Sequence, residues 1–422
     1  MAVVFDSLNA MEVLDSRGRP TVWVRAVLPG GKTVEAGVPS GASTGSREAV
    51  ELRDRDDRYH GLGVMHAVDN VNGPIADALV GLRWSSLLEI DTAIRELDGT
   101  PDKSRLGANA IVGVSMAAAR AFALDPGQPL WRWLTPTGVS PRLPVPHFNV
   151  VNGGAHAPNP LDFQEFMIAP LGARSLADAV RAGAEVYAEL RSELARRGFA
   201  TGLGDEGGFA PDLSSPEEVL TLLRRAIVDA GYRAGADGVA IALDPAASEF
   251  YRDGRYQVSG ESLSSQDMID RFTAIVEEFP VWSIEDGLAE TDTDGWVALT
   301  EALGDRIQLV GDDNFVTDPA LITEAIAAGV ANAALIKVNQ VGSVSETLAA
   351  LQVCRDAGYG AMISHRSGET TDSFIADLAV GSGCGQIKSG APARGERVAK
   401  YNRLLQISRD NPDLPFGRPG TD

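Results

Sequence analysis

The sequence predicts an α/β barrel that holds a catalytic site, preceded by a smaller α+β domain. The first observation is a series of six short apolar runs between residues 239 and 388, each followed closely by a polar or charged residue. The second is that helix-like segments separate most of these runs, as parallel βα units require. The third is the length of 422 residues, which accommodates one barrel of about 250 residues and a further domain.

The six apolar runs are the predicted barrel strands. They cover residues 239–243, 281–284, 307–310, 333–336, 360–363 and 385–387, and are followed by Asp244, Glu285, Asp312, Lys337, His365 and Lys388. The segment 264–279 illustrates the helices, since its apolar residues recur with a period of 3.6. Because the carboxyl ends of parallel strands meet at one rim, where barrel enzymes keep their chemistry, we expect the six polar residues to converge there.

The N-terminal part reads as a hairpin, a loop and helices. Residues 21–27 and 33–38 alternate like paired strands around a turn at 29–32. The following loop, PSGASTG at 39–45, is either a lid over a ligand or a flexible surface loop, and it lacks the phosphate-loop pattern. Helices are predicted at 64–79, 85–97 and 108–123. Four prolines within 135–146 indicate a boundary between domains 1–135 and 136–422.

Composition limits the partners and the compartment. The formal net charge of −21 argues against non-specific binding to nucleic acid or to anionic membranes, but not against a small anionic substrate. Cys354 and Cys384 form no C-x-x-C pair, which fits a reducing cytoplasm. The first nine residues lack the pattern of a signal peptide. The apolar window 106–124 is rich in alanine and glycine and carries Arg120, so it predicts a buried helix rather than a membrane span.

Three carboxylates end successive predicted strands. Asp244 and Glu285 lie 41 residues apart, and Glu285 and Asp312 lie 27 residues apart, separations that fit one βα unit each. Converging carboxylates repel one another unless a cation neutralises them, and all-oxygen ligands suit Mg²⁺. The alternative is that each acid is a helix N-cap or a loop residue.

Two lysines also end predicted strands. Lys337 and Lys388 would be crowded by each other and by a metal ion, so we expect a lowered pKa and a neutral amine able to act as a base. The alternative is a salt bridge with a carboxylate. The sequence GDEGG at 204–208 sets Glu206 beside a second acid, which would raise its pKa and suit a general acid. The alternative is that residues 204–208 form a solvated acidic turn.

Further polar residues precede or follow predicted strands. Gln164 and Glu165 stand before an apolar run, and His156 follows two glycines, although a lone histidine is more often structural. Arg366 and Ser367 form the best candidate for an anion clamp, because arginine offers a fork to phosphate. A carboxylate metal site, a lysine base, an acid and a phosphate clamp together suit abstraction of a proton beside a carboxylate.

From about residue 14 to residue 405, the sequence resembles the enolase family. The shared motifs are PSGASTG at 39–45, KSRLGANAI at 103–111, GDEGGFAP at 204–211, KVNQVG at 337–342, SHRSGET at 364–370 and GQIKSGAPAR at 385–394. The resemblance implies an eight-stranded barrel whose first turns depart from simple βα order. It also implies reversible dehydration of 2-phosphoglycerate to phosphoenolpyruvate in glycolysis, in a cytoplasmic homodimer or homo-octamer.

The resemblance also implies a role for each candidate residue. Lys337 matches the base that removes the C2 proton, and Glu206 matches the acid that helps to expel the C3 hydroxyl, with Glu165 and His156 beside it. Two Mg²⁺ ions are implied per site: Asp244, Glu285 and Asp312 match the ligands of the first, and Ser43 matches a ligand of the second, which arrives with the substrate. Arg366 and Ser367 match phosphate contacts, and His365, Gln164 and Lys388 line the substrate site.

Several residues depart from the family pattern. Pro245, Asn314, His147 and Thr371 stand where other residues are usual. They leave open a specialised paralogue acting on a related phosphonate substrate, such as a carboxyphosphonoenolpyruvate synthase of phosphonate antibiotic biosynthesis. A non-catalytic binding or structural protein on the same scaffold is a further alternative, but it predicts lost catalytic residues and none is lost.

Overall fold

A computed structural model describes residues 2–42 and 44–420, and its closed eight-stranded barrel, preceded by a smaller unit of strands and helices, confirms the predicted fold class. The N-terminal elements are β1 (Val3–Val4), β2 (Ser7–Leu14), β3 (Pro20–Leu28), β4 (Lys32–Gly37), α1 (Met65–Asn70), α2 (Ala76–Leu79), β5 (Arg83–Trp84), α3 (Leu87–Asp98), α4 (Ala108–Leu124) and α5 (Leu130–Trp133). Strands β2, β3 and β4 form an antiparallel sheet, and β1 pairs with β5.

The predicted hairpin is strands β3 and β4, but strand β2 beside it was missed. Most side chains of β2 are exposed or half-buried. Met11 and Leu14 are more than half exposed, so the strand lacks the alternation of buried and exposed residues that identifies a half-buried strand.

The predicted helix at 64–79 is broken into three parts. A π-helical turn, Val71–Ile75, separates α1 from α2 and contains Pro74. Proline lacks the N–H that an α-helix needs at that point, and a wider turn accommodates it. Helix α4 is buried along nearly its whole length, as predicted for the apolar window. A Cβ on Gly113 would lie 2.7 Å from the side chain of Val24, so the glycine lets α4 pack closely on β3.

The barrel part continues the numbering. Its elements are β6 (Val145–Asn152), β7 (Glu165–Ala169), α6 (Leu176–Arg196), α7 (Pro216–Asp229), β8 (Ala240–Asp244), β9 (Tyr251–Arg252), β10 (Arg255–Val258), β11 (Glu261–Leu263), α8 (Ser265–Glu278), β12 (Val281–Glu285), α9 (Thr293–Leu303), β13 (Gln308–Gly311), α10 (Pro319–Ala328), β14 (Ala333–Ile336), α11 (Val338–Val341), α12 (Val344–Asp356), β15 (Gly360–Ser364), α13 (Phe374–Ser382), β16 (Gln386–Lys388) and α14 (Gly395–Asp410). All six predicted strands are present.

Helix α8 forms where the sequence predicted it. The Ser264 hydroxyl accepts from the backbone N–H of Asp267, whose carboxylate accepts from the N–H of Ser264, which makes a capping box. Met268 and Phe272, one turn apart, are fully buried against the barrel. The helix is therefore fixed by its cap and by one apolar face.

The barrel closes in the order β6-β7-β8-β12-β13-β14-β15-β16, and β7 runs antiparallel to both of its neighbours. This confirms the expected departure from simple βα order. Because β7 is reversed, its first residue, Glu165, pairs with the last residue of β8, Asp244. An acid at the start of a strand thereby reaches the catalytic rim.

The C-terminal residues 411–420 are irregular and mostly exposed or half-buried, and part of the segment is hydrogen-bonded beneath the barrel. The N–H of Leu143 donates to the carbonyl of Pro415 (2.8 Å), and the N–H of Gly417 donates to the carbonyl of Leu143 (3.0 Å). The Arg418 guanidinium lies 4.5 Å from the ring centre of Trp282, near the start of β12. The segment thus covers the end of the barrel opposite the rim. Among the described residues, no helix has the length and apolar character needed to cross a membrane.

Candidate active site

Lys388, the last residue of β16, lies at the centre of a buried carboxylate cluster. Its Nζ is 2.6 Å from Glu285, 3.3 Å from Glu165 and 3.3 Å from Asp244. Each acid comes from a different strand. One lysine therefore neutralises part of a charge that water cannot reach.

Lys337 follows β14 and pairs with Asp312, the third predicted metal ligand. The other oxygen of Asp312 accepts from the Gln340 side chain at 2.8 Å. Lys337 precedes the short helix α11, and Gln340 lies one turn later in it, so both side chains reach Asp312. The structure thus brings both predicted lysines to the rim, where each forms an ion pair with a predicted metal ligand.

The expectation of a lowered lysine pKa is wrong for this state of the protein. Burial lowers the pKa of Lys388, but Glu165, Glu285 and Asp244 raise it well above its ordinary value. Burial likewise lowers the pKa of Lys337, and Asp312 more than offsets that effect. Both amines are therefore held as cations by the salt bridges that were the alternative interpretation.

Glu206 is buried among hydrogen-bond donors rather than in a solvated turn. Its carboxylate lies 3.1 Å from Nε2 of His365 and accepts from the amide of Asn149 at 3.0 Å. Burial raises the pKa of Glu206, but His365 and His156 lower it below its usual range. The neighbouring acid in the sequence therefore does not raise the pKa as expected, because other groups surround the carboxylate.

Glu165 and Glu206 are linked through His156, whose Nδ1 lies 3.6 Å from each of them. Burial and the charge of Glu206 raise the pKa of Glu165 well above its usual value. Two carboxyl groups in one buried site do not both ionise readily. The pKa shifts of the two acids run in opposite directions, and a proton in this pair is favoured on Glu165 over Glu206.

Arg397, a residue that sequence reasoning missed, fixes the tautomer of His365. Its guanidinium donates to Nδ1 of His365 at 2.6 Å and to the carbonyl of Arg366 at 2.5 Å. Arginine cannot accept a hydrogen bond, so Nδ1 accepts and Nε2–H points at Glu206. Burial lowers the pKa of His365 to about 3, and the ring is neutral. No sequence motif marked Arg397. Its role becomes apparent only from the structure, where it is completely buried in α14.

The predicted anion clamp lies on the same rim. Arg366 donates to Glu48 and, at 3.0 Å, to the side-chain oxygen of Asn339. The hydroxyl of Ser367 lies 2.9 Å from Nε2 of His156. Gln164, also buried, hydrogen-bonds through its backbone N–H to the carbonyl of Asp244. Ser43 lies outside the described residues.

Asp286, which the sequence analysis did not single out, holds the backbone of the next acidic pair. Its carboxylate accepts from the N–H groups of Asp312 (2.8 Å) and Asp313 (3.0 Å). Burial and the two neighbouring acids raise the pKa of Asp286 well above its usual range. Potential ligand atoms of Asp286, Asp312 and Asp313 lie within 4.8 Å of one another, as do those of His156, Glu165 and Glu206.

Of the three predicted metal ligands, Asp244 and Glu285 contact Lys388, whereas Asp312 contacts Lys337. One oxygen of Glu285 and one of Glu165 are buried without a hydrogen-bond partner among the described residues. A cavity of about 10 Å³ lies beside them, and its lining includes Asp244, Glu165 and both lysines but not Glu285 or Asp312. The all-oxygen donor set fits a hard divalent cation, provided that the lysines move aside to admit it with the substrate.

The four departures from the family pattern lie beside the site without removing a candidate residue. Pro245 follows Asp244, whose carboxylate accepts from the N–H of Ala246 at 2.9 Å. The carbonyl of Asn314 accepts from Arg47 at 2.6 Å. Thr371 is exposed. The fourth, His147, is fully buried beside Lys388 in the strand register.

His147 is expected to make the protein sensitive to acid. Its ring lies 5.4 Å from that of Trp282, both ring nitrogens lack a hydrogen-bond partner among the described residues, and burial lowers its pKa to about 3. The unfolded chain takes up this proton near pH 6.5, whereas the folded protein does so only near pH 3. The difference has no effect on stability above pH 6.5, and it lowers the free energy of unfolding as the pH falls toward 3.

His147→Met should therefore reduce the loss of unfolding free energy between pH 7 and pH 5 by about 2 kcal/mol. Urea unfolding at both pH values measures it. Equal pH dependence in wild type and His147→Met would show that the buried ring does not titrate on unfolding.

Two family models cover most of the chain. "Enolase, N-terminal domain" matches residues 5–134, and "Enolase, C-terminal TIM barrel domain" matches residues 140–413. Among curated relatives, the enolase of Rubrobacter xylanophilus is 55% identical over 95% of this chain and 94% of its own length. The enolase of Nitratiruptor sp. is 53% identical over 97% of each chain, and that of Acidothermus cellulolyticus is 54% identical over 98% of this chain and 96% of its own.

Proposed function

The chain belongs to the enolase family, and we propose that the rim residues described above carry out its reaction in the roles given below. The protein is a phosphopyruvate hydratase of glycolysis, and it dehydrates 2-phosphoglycerate reversibly to phosphoenolpyruvate with a divalent metal ion. The observation that carries this assignment is identity of 53–55% to relatives named enolase over nearly the full chain. The phosphonate alternative is not favoured.

Lys337 is the base in this proposal. The C2 proton of the substrate is very weakly acidic, because its removal adds charge next to a carboxylate. To take that proton, the amine must leave Asp312 and become neutral. Full burial of Lys337 favours the neutral form once the charge of Asp312 no longer holds the proton.

Glu206, with Glu165 and His156 beside it, supplies the acid. The proton that the pair shares is available at one edge of the cavity that Lys337 also lines. Nε2 of neutral His365 lies 3.1 Å from the Glu206 carboxylate and helps to keep it in place. The proposal divides the reaction between Lys337 for proton removal and the Glu206 group for departure of the C3 hydroxyl.

Arg366 and Ser367 bind the substrate phosphate, while Gln164, His365 and Lys388 line the rest of the substrate site. Arg366 is fully buried and offers a fork that matches phosphate oxygens. Ser367 adds a hydroxyl that His156 orients. A Cβ on Gly41 would lie 2.1 Å from a terminal nitrogen of Arg366, so the proposed phosphate contact lies beside residue 41.

The metal requirement is proposed to be two Mg²⁺ per site. Asp244, Glu285 and Asp312 would hold the first, and Ser43 would help to hold a second that arrives with the substrate phosphate. Bound Mg²⁺ would offset the negative charge that accumulates on the substrate carboxylate. The buried, unpartnered oxygen of Glu285 supports the first site.

Three further features are proposals. The domains are 1–135, with a mobile loop at 39–46, and 136–422; the two family models meet between residues 134 and 140. The cytoplasm is the proposed location because glycolysis proceeds there. The proposed assembly is a homodimer or homo-octamer, as implied by the family.

The direct test is phosphoenolpyruvate formation from 2-phosphoglycerate by purified protein, with Mg²⁺ and then with EDTA. We expect turnover in the ordinary range of about 1–10³ s⁻¹, lost with EDTA and restored by added Mg²⁺. Ultraviolet absorbance of the product follows the reaction. Folded protein that binds 2-phosphoglycerate but turns it over at a negligible rate with Mg²⁺ would contradict the assignment.

A further inference from the structure

Arg366, the proposed phosphate contact, holds a carboxylate of the N-terminal part in the geometry that suits a phosphate. Its two terminal nitrogens donate side by side to the two oxygens of Glu48, at 2.9 Å and 3.1 Å. The side chains of both partners are nearly inaccessible to water. Such paired bonds are the strong, specific form of arginine recognition, for phosphate as for carboxylate.

Glu48 also contacts the loop that precedes it and the proposed metal site. One of its oxygens accepts from the N–H of Gly45 (3.2 Å) and from the side-chain amide of Gln340 (3.3 Å). The same amide of Gln340 donates to Asp312 at 2.8 Å. A change at Glu48 would therefore alter its contacts with Gly45 and with Gln340, which binds a proposed metal ligand.

We propose that Glu48 occupies the phosphate position on Arg366 and that the substrate phosphate binds by displacing it. This inference rests on the proposed role of Arg366. Two anions compete for one buried guanidinium, so the incoming group must be the stronger partner. A phosphate dianion exceeds a carboxylate in charge, whereas a ligand bearing only a carboxylate gains little by the exchange. Glu48 would thus favour phosphorylated substrates.

A cavity beside Glu48 can accommodate its displaced side chain. A cavity of about 330 Å³ lies between the N-terminal part and the barrel, and Glu48, Glu51, Asn109, Asn339 and Arg366 are among its lining residues. Amide side chains and water in a cavity of that size can solvate a carboxylate. Movement of Glu48 into it would break the contact with the N–H of Gly45.

Binding of inorganic phosphate, measured by calorimetry in the presence of Mg²⁺, tests the proposal without depending on turnover. Glu48→Gln keeps the shape but loses the charge, so phosphate should bind roughly tenfold more tightly than to wild type. Glu51→Gln is the matched control: Glu51 is half-buried near Arg366 and contacts Ser40 and Arg53 instead. It should tighten binding much less.

The outcomes separate this inference from the proposed function. Arg366→Met should abolish phosphate binding; if binding persists, the phosphate role of Arg366 is wrong. If Arg366 is required but Glu48→Gln binds phosphate no better than wild type, or no better than Glu51→Gln, displacement is wrong. Should Glu48→Gln fail to fold, Glu48→Asp replaces it. The shorter acid cannot hold both nitrogens as well, so about threefold tighter binding is expected, and unchanged or weaker binding overturns the proposal.

Discussion

Lys337→Ala should abolish exchange of the C2 proton of 2-phosphoglycerate with solvent, whereas Glu206→Gln should retain that exchange and lose dehydration. Proton removal and departure of the hydroxyl are assigned to different residues, so each variant stops a different step. Loss of a positioned acid or base costs about 10²–10⁴-fold in rate. Deuterium incorporation at C2 in D₂O, followed by NMR beside phosphoenolpyruvate formation, separates the two steps.

Lys103→Ala is the control for that experiment. Lys103 is also buried and pairs with Glu346 at 3.2 Å, but neither residue lines the cavity of the candidate site. Exchange and turnover should both survive in this variant. If Glu206→Gln stops exchange as well as dehydration, then the two carboxyl groups and Lys337 act as one unit and the division of roles is incorrect.

Lys388→Met should destabilise the protein by about 3–5 kcal/mol in EDTA, because it leaves three buried carboxylates without their shared cation. Nζ of Lys388 contacts Glu285, Glu165 and Asp244, and water does not reach them. Mg²⁺ should restore much of the loss, since a ligand that binds only the folded state stabilises it. Urea unfolding in EDTA and in Mg²⁺ gives both values.

The comparison for this prediction is Lys400→Met. Lys400 is equally buried and pairs with Glu369 at 2.8 Å, so its loss should also be costly. Neither residue is a proposed metal ligand, and Mg²⁺ should not recover that stability selectively. Equal recovery in both variants, or none in Lys388→Met, would contradict a cation site that includes Asp244 and Glu285.

The barrel and most of the site were predictable because one local pattern encodes both. Strands buried on both faces read as short apolar runs, and the residue after each run lies at the rim, as Asp244 and Glu285 do. The helix Ser265–Glu278 was predictable for a similar reason, since its cap and its apolar face are both local in sequence.

What could not be predicted depends on contacts between distant residues. Arg366 and Glu48 are 318 positions apart, and no local pattern joins them. Likewise, the direction of the Lys337 and Glu206 pKa shifts depends on which groups face them after folding. Lys337 lies on Asp312 rather than beside an unbalanced cation, and Glu206 receives hydrogen bonds from His365 and Asn149.

The segment that closes the barrel has a consequence for synthesis on the ribosome. Strand β6 pairs with β7 soon after it is made. Its other edge pairs with β16, and Leu143 just before it pairs with Pro415 and Gly417. The chain must therefore emerge almost to its end before that edge is covered. An uncovered edge can pair with other chains. The nascent protein is thus expected to need protection by chaperones until its last residues leave the ribosomal tunnel.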